Sequence, residues 1–325
     1  MRFSPSSQLT LLALASLLAS CDPPPGDAIP QGPAGELLVR PDLGDGKEVV
    51  LLAKDLRVPF DLAQSQVLQT QVSREPGFVL KVEDALGVLS TQGRQFREAI
   101  SRDPEVIFLD AIDDVLLDPV LAEAMQAGVK VVSLNGKVVP PRCDSAVYCE
   151  EEEVGRIAGR MIAEALDRKA EEEGAAETTG RLVEIRGVEG DAAGEARHQG
   201  MMDALADQSG IILVHDAPGG WATDSCAAVL ADAYRLQHQF DVVYAHDDDM
   251  AAVAGEAAVN QGVRENTFIL GTNGFGGSGG GQDLMRRGEI DATIFHPIPA
   301  DFAWRIVKKW NADPSFRAKA EYKLQ

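Results

Sequence analysis

Apolar, β-prone runs end in polar side chains at five places along this chain. Lys54 and Asp55 follow Val49–Leu52, Asn135 follows Val131–Leu134, and His246–Asp249 follow Val243–Ala245. Asn273 follows Leu270–Gly271, and His296 follows Ile294–Phe295. Ammonium, carboxylate, amide and imidazole groups are the partners that hydroxyl-rich molecules need, because every hydroxyl both donates and accepts. A single polar strand end ordinarily caps the next helix. Five of them imply a polar cleft, since ligands of open α/β sheets bind beyond the carboxyl ends of the strands.

Three other patterns fit less well. Gly274-Phe275-Gly276-Gly277-Ser278-Gly279 matches the dinucleotide fingerprint, but it comes late in the chain and the next strand ends in Phe295-His296 instead of an acid. Gly276–Gly280 matches a nucleophile elbow with Ser278 as nucleophile, yet Asp291 and His296, the partners it would draw on, are nearly adjacent. A glycine-rich surface loop accounts for the same residues. Consecutive residues leaving a strand diverge, so His246–Asp249 make a poor metal site. The expectation is a protein with no cofactor, no metal and no catalysis.

The elements that must position the polar residues alternate. Strands are expected at Val49–Leu52, Phe78–Val82, Val106–Leu109, Val129–Leu134, Leu182–Ile185, Ile211–His215, Val242–Ala245, Phe268–Gly271 and Ala292–Phe295. Helical patterns fall at Thr91–Ser101, Val154–Glu173, Ala193–Asp207, Asp224–Gln237, Met250–Gln261 and Ala300–Trp310. Consecutive apolar residues in the strands fit a parallel sheet covered on both faces. The class is α/β. The acids Glu150–Glu153 suit a helix start, where they face the positive end of the dipole. With 325 residues, two domains are accommodated, and a net charge of −21 opposes nucleic acid and anionic headgroups.

Met1-Arg2, the apolar stretch Leu9–Leu18 and then Leu18-Ala19-Ser20-Cys21 resemble the leader and lipobox of bacterial lipoproteins, which implies cleavage after residue 20 and lipidation of Cys21. Pro23–Pro25 and further Pro and Gly through Gly35 read as a flexible linker over residues 21–46. The implied product is exported to the periplasmic side, touching membrane only through its anchor. An oxidising compartment implies a disulfide between Cys143 and Cys149, while Cys226 sits in an amphipathic pattern as a buried apolar residue.

From about Glu48 to Trp310 the chain resembles the periplasmic sugar-binding proteins of the ribose-binding type. The resemblance is carried by Pro59-Phe60, Asp110–Asp114, Ala127–Val132 leading to Asn135, Gly194–Met201 with Ala196-Arg197, and Pro218–Trp221. It continues through Tyr244–Ala251, Leu270–Gly274 and Gly288–Ile294. It implies a type I periplasmic-binding fold: two Rossmann-like lobes with parallel sheets, joined by three crossovers and closing on one small polyhydroxylated ligand, a sugar or cyclitol. The implied lobes are 47–136 with 297–325, and 137–296.

The implied ligand contacts are Lys54, Phe60, Asp61, Asn135, Arg197, Trp221, Asp247, Asn273 and His296. Phe60 and Trp221 would cover the C–H faces of the ring. Bland roles stay open: Asp247 as a helix cap near Met250, Asn135 as a turn residue, Trp221 as a core anchor, Arg197 as a surface helix residue and His296 as part of a hinge. The ribose-type pattern has aspartate at Asn135 and Asn273, asparagine at Asp247, glutamine at His296, arginine at Gly136 and an aromatic at Asp61. Gly136 is therefore expected to vacate volume, and a ligand other than ribose is implied. The function implied is a monomeric, lipid-anchored solute-binding protein that delivers its ligand to an ABC permease. The alternatives are a ligand-sensing receptor for a histidine kinase or chemoreceptor, and a secreted hydrolase using Ser278.

Overall fold

The computed structural model describes residues 46–136, 138–313 and 315–324. The expected leader, the expected lipidation site Cys21 and the expected linker up to residue 45 lie outside the described residues.

Strands and helices alternate from the start. β1 (Lys47–Ala53), β2 (Phe78–Asp84), β3 (Val106–Asp110), β4 (Val131–Leu134) and β5 (Ser145–Cys149) are separated by α1 (Pro59–Ser73), α2 (Leu89–Ser101) and α3 (Asp118–Ala127). There follow α4 (Glu151–Glu173), β6 (Gly180–Arg186), α5 (Ala192–Leu205), β7 (Ile211–Pro218), α6 (Thr223–Gln237) and β8 (Val242–Ala245). Then come α7 (Asp248–Asn260), β9 (Phe268–Asn273), α8 (Gly281–Arg287), β10 (Ala292–Phe295), α9 (Pro299–Ala312) and β11 (Glu321–Leu324).

These elements form two units. The first holds the described residues through Cys149 together with those from Pro297 onward; the second holds Glu150–His296. The first unit's sheet has the order β11-β5-β4-β3-β1-β2, and every neighbouring pair is parallel. The second has the order β10-β9-β8-β6-β7, also parallel throughout. In both, the strand that enters first lies inside the sheet, with the second strand to one side and the third to the other. The order therefore reverses between β1 and β3, and between β6 and β8. Reversal points of this kind are where doubly wound sheets bind ligands.

Apolar runs explain the layering. Val49–Ala53 and Val106–Leu109 are essentially without exposure, and their side chains alternate between two clusters on opposite faces of the first sheet. Trp304 of α9 fills one of them, standing edge-on to Phe78 at 5.2 Å. The second sheet likewise separates a cluster with α6 and α7 from one with α4 and α5.

Three expectations are corrected. The segment after Gly136 does not open the second unit, because β5 pairs with β4 and so keeps residues up to Cys149 in the first. The described chain passes between the units twice, after Cys149 and after His296; the third crossover is absent among the described residues because β11 returns to the edge of the first sheet beside β5. Cys143 and Cys149 are free thiols. The Cys143 thiol donates to the Val138 and Ser145 carbonyls at 3.7 and 3.4 Å, whereas the Cys149 thiol, at the end of β5, donates to the Pro297 carbonyl at 3.5 Å. Cys226 is free and buried as expected.

Candidate functional site

The expected contact residues fall into two groups, one at the carboxyl edge of each sheet. In the first unit Lys54 leaves β1, and Pro59 at the start of α1 presets the helical φ so that Phe60 and Asp61 occupy its first turn. Asp61 is only 3% exposed, and its Oδ2 lies 4.0 Å from Lys54 Nζ. Asp110 ends β3, equally buried, and its Oδ1 accepts Asn135 Nδ2 at 2.9 Å. Asn135 has φ of 63°, the left-handed turn reading left open by the sequence, and the side chain contributes to the cluster as well. Phe60 is half-buried.

Burial raises the Asp61 carboxyl well above its ordinary range, and the charge of Asp110 adds to the rise. Gln92 locks this edge by donating to the Asp110 carbonyl at 2.7 Å and accepting the Ile112 N–H at 2.9 Å. The volume expected to be vacant at Gly136 is filled: a Cβ there would come within 2.9 Å of the Tyr148 ring.

In the second unit the centre is a buried ion network. Arg197 of α5 donates from Nε to Glu151 Oε2 at 2.7 Å and from Nη1 to the His246 carbonyl at 2.6 Å. His296 Nε2 meets the other oxygen of Glu151 at 3.0 Å. Burial alone would raise Glu151, but the charge of Arg197 and then that of His296 outweigh it and hold the carboxyl well below its usual range. The bland reading of Arg197 as a surface residue is thus overturned. His296 is committed to Glu151, close in sequence to the passage between the units.

Trp221, with φ of 56°, packs against the β6 side of the core, and the Arg197 guanidinium lies 5.7 Å from its ring centroid. Gly187 makes room for it, since a Cβ there would fall 2.0 Å from the indole. Asp247 caps α7, its Oδ1 accepting the Met250 N–H at 2.7 Å. Burial pushes its carboxyl up to about 7, and the same cause lifts Asp248 to about 7. Asn273 ends β9 buried, with φ of 117°, and its carbonyl accepts the His296 N–H at 3.0 Å. Five expected residues, Arg197, Trp221, Asp247, Asn273 and His296, therefore gather at one edge.

Sequence reasoning missed four contributors. Glu151 was read only as a dipole-facing acid, and Asp110 stood in a matching stretch without being singled out as a strand end. Gln64, 1% exposed on the inner face of α1, carried no signal beyond a polar residue in an apolar helix face. Glu184 of β6 is wholly buried and joins His246 Nε2 at 2.9 Å to His198 Nδ1 at 2.5 Å. Glu184, His198 and Asp216 bring one ligand atom each within 4.8 Å of one another, but Glu184 is engaged by the two histidines and Asp216 by Arg186. The residues an elbow at Ser278 would draw on are engaged too, Asp291 by Arg264 at 3.0 Å and His296 by Glu151.

The family described as "Periplasmic binding protein domain" matches residues 49–306. The chain is 23% identical over 222 residues to the D-allose-binding periplasmic protein of Escherichia coli, covering 66% of this chain and 67% of that one. A solved ABC transporter periplasmic solute binding protein from Actinobacillus succinogenes, with bound D-allose, superposes with a TM-score of 0.75 at 17% identity, over 86% of this chain and 96% of that chain. The fructose binding periplasmic domain of a hybrid two component system gives a TM-score of 0.73 at 22% identity, over 86% and 88%. With the doubly wound sheets and a match over most of its length, the chain belongs to the periplasmic binding protein family.

Proposed function

We propose that this protein binds a sugar or polyol outside the cytoplasm and delivers it to an ABC permease, held to the membrane by a lipid on Cys21 and catalysing no reaction. The observation that carries the reading is the clustering of planar polar groups at the carboxyl edges of both sheets, at their reversal points. Lys54, Asp61 and Asn135 on one unit, and Arg197, Asp247, Asn273 and His296 on the other, supply donors and acceptors for ring hydroxyls. Phe60 and Trp221 supply faces for C–H surfaces. Binding selects whichever conformation makes the better contacts, and only that difference in affinity can signal occupancy to a membrane partner.

A thermal-shift panel of pentoses, hexoses and cyclitols tests the proposal. One of them, at 100 times its dissociation constant, adds about 2.7 kcal/mol of stability and raises Tm by several degrees. Lys54→Met and Trp221→Ala each diminish that rise relative to the variant's own ligand-free melt, whereas Ser278→Ala leaves it intact. A flat panel, or turnover that depends on Ser278, overturns the proposal. The likeness to a periplasmic domain of a two-component system supports a sensing role as the second reading. Ligand uptake into vesicles carrying the permease favours transport; ligand-dependent kinase phosphorylation favours sensing.

A further inference from the structure

Among the described residues of the first unit, several buried acceptors have no hydrogen-bond donor from the protein, and three of them stand near the carboxyl edge of the sheet. These three are Asp61 Oδ2, Asp110 Oδ2 and Gln64 Oε1, on residues 3%, 2% and 1% exposed. Asp61 and Gln64 are three residues apart on the inner face of α1, so their side chains neighbour each other. Asp110 ends β3, next to β1 in the sheet, and its other oxygen is taken by Asn135. Among the described residues, the cation paired to these acids is Lys54, at 4.0 Å from Asp61. Nearby Arg57 is held by Asp55 at 2.6 Å.

Buried acceptors without donors are costly, and buried carboxylates are the most costly of all. A bound ligand must therefore bring donors to this edge. A hydroxyl brings one donor and an ammonium brings three together with a positive charge. Hydrogen bonds between an ammonium and a carboxylate are also about twice as strong as neutral ones. We infer that the ligand is an aminated sugar or cyclitol whose ammonium group is held by Asp61, Asp110 and Gln64. The inference rests on the sugar-or-polyol reading above and narrows it.

Matched pairs test it: D-glucose with D-glucosamine, D-galactose with D-galactosamine, and myo-inositol with an aminodeoxyinositol, by isothermal titration at neutral pH. In at least one pair the amine binds about tenfold or more tightly than its neutral partner. N-acetylation, which removes the charge but keeps the substituent, abolishes that advantage. Asp61→Asn, nearly isosteric, erases the amine preference, so that the amine and its neutral partner then bind within about threefold of each other. Neutral members binding as tightly as the amines overturn the inference and leave the polyol reading standing, as does an amine preference that survives acetylation or Asp61→Asn. If no member of any pair binds, the inference is overturned, and the polyol reading falls with it when the full panel of pentoses, hexoses and cyclitols is flat as well.

Discussion

Asp247 and Asp248 are consecutive buried carboxyls with different duties, one capping α7 and the other accepting from the Gly274 N–H at 2.8 Å and from Thr293 Oγ1. Burial raises both to about 7 in the folded protein, against roughly 3.9 for a free aspartate. The folded state thus keeps protons that the unfolded chain releases as pH rises from about 4 to 7, so their contribution to stability is present at low pH and lost through that window. His246, lowered first by burial, acts in the opposite direction below about 6.5 but offsets only one of the two protons. The free protein should therefore melt higher at pH 6 than at pH 8, and Asp247→Asn, which can still cap the helix, should reduce the difference. A Tm flat or rising between those values, or unaltered by the substitution, would contradict the assignment. At this scale the sequence revealed the residues that stand at strand ends, because a polar side chain behind an apolar run is visible in one dimension. It offered the capping role of Asp247 but not its displaced carboxyl, nor did it reveal that Glu151 pairs with Arg197 and His296. Those partners are separated from it by 46 and 145 positions.

Helices α4 and α5 meet through glycines. A Cβ on Gly155 would lie 1.9 Å from the Arg197 carbonyl oxygen, and one on Gly200 would lie 1.9 Å from that of Glu152. This backbone approach places the start of α4, and with it Glu151, against Arg197. Gly200→Ala should push the helices apart, lower Tm by an amount corresponding to about 1–3 kcal/mol of overpacking, and weaken ligand binding along with it. Gly93, inside α2 with only Leu117 at 3.9 Å from its missing Cβ, is the contrasting case. Gly93→Ala should raise stability by about 0.5–1 kcal/mol through its effect on backbone freedom. Equal effects of the two substitutions in thermal melts would count against this packing. Elements with long periodic patterns, such as α4 and α6, were legible in the sequence to within a few residues. The missed ones have local reasons. The inner face of α1 carries Asp61, Gln64 and Ser65, which breaks the apolar periodicity. β11 alternates half-buried and exposed residues at a sheet edge, and β5 follows a stretch of Pro and Gly that reads as loop.

The two units differ in how the chain builds them. The second is continuous from Glu150 to His296, and its five strands, both flanking clusters and the Glu151–Arg197–His296 network all fall inside those limits. The first unit needs two stretches far apart in sequence, because α9 supplies Ala300, Trp304 and Val307 to one face of its sheet and β11 supplies its edge. Without them Val49, Leu51 and Phe108 would lose the helix that covers them. Truncating a buried Trp to Ala costs about 3–5 kcal/mol, and removal of the whole helix exceeds this, a loss comparable to the entire stability of an ordinary domain. A fragment spanning residues 150–296 should therefore fold alone, with cooperative melting by circular dichroism and slow hydrogen exchange at β6, β8 and β9. A fragment spanning 46–149 should not, and should gain structure only when a 297–325 peptide is added. In a peptide with Trp310→Phe, Trp304 fluorescence would report the docking, shifting to shorter wavelength as the indole packs against Phe78 and Phe108. An unstructured 150–296 fragment, or a 46–149 fragment that melts cooperatively without the peptide, would refute this division of labour.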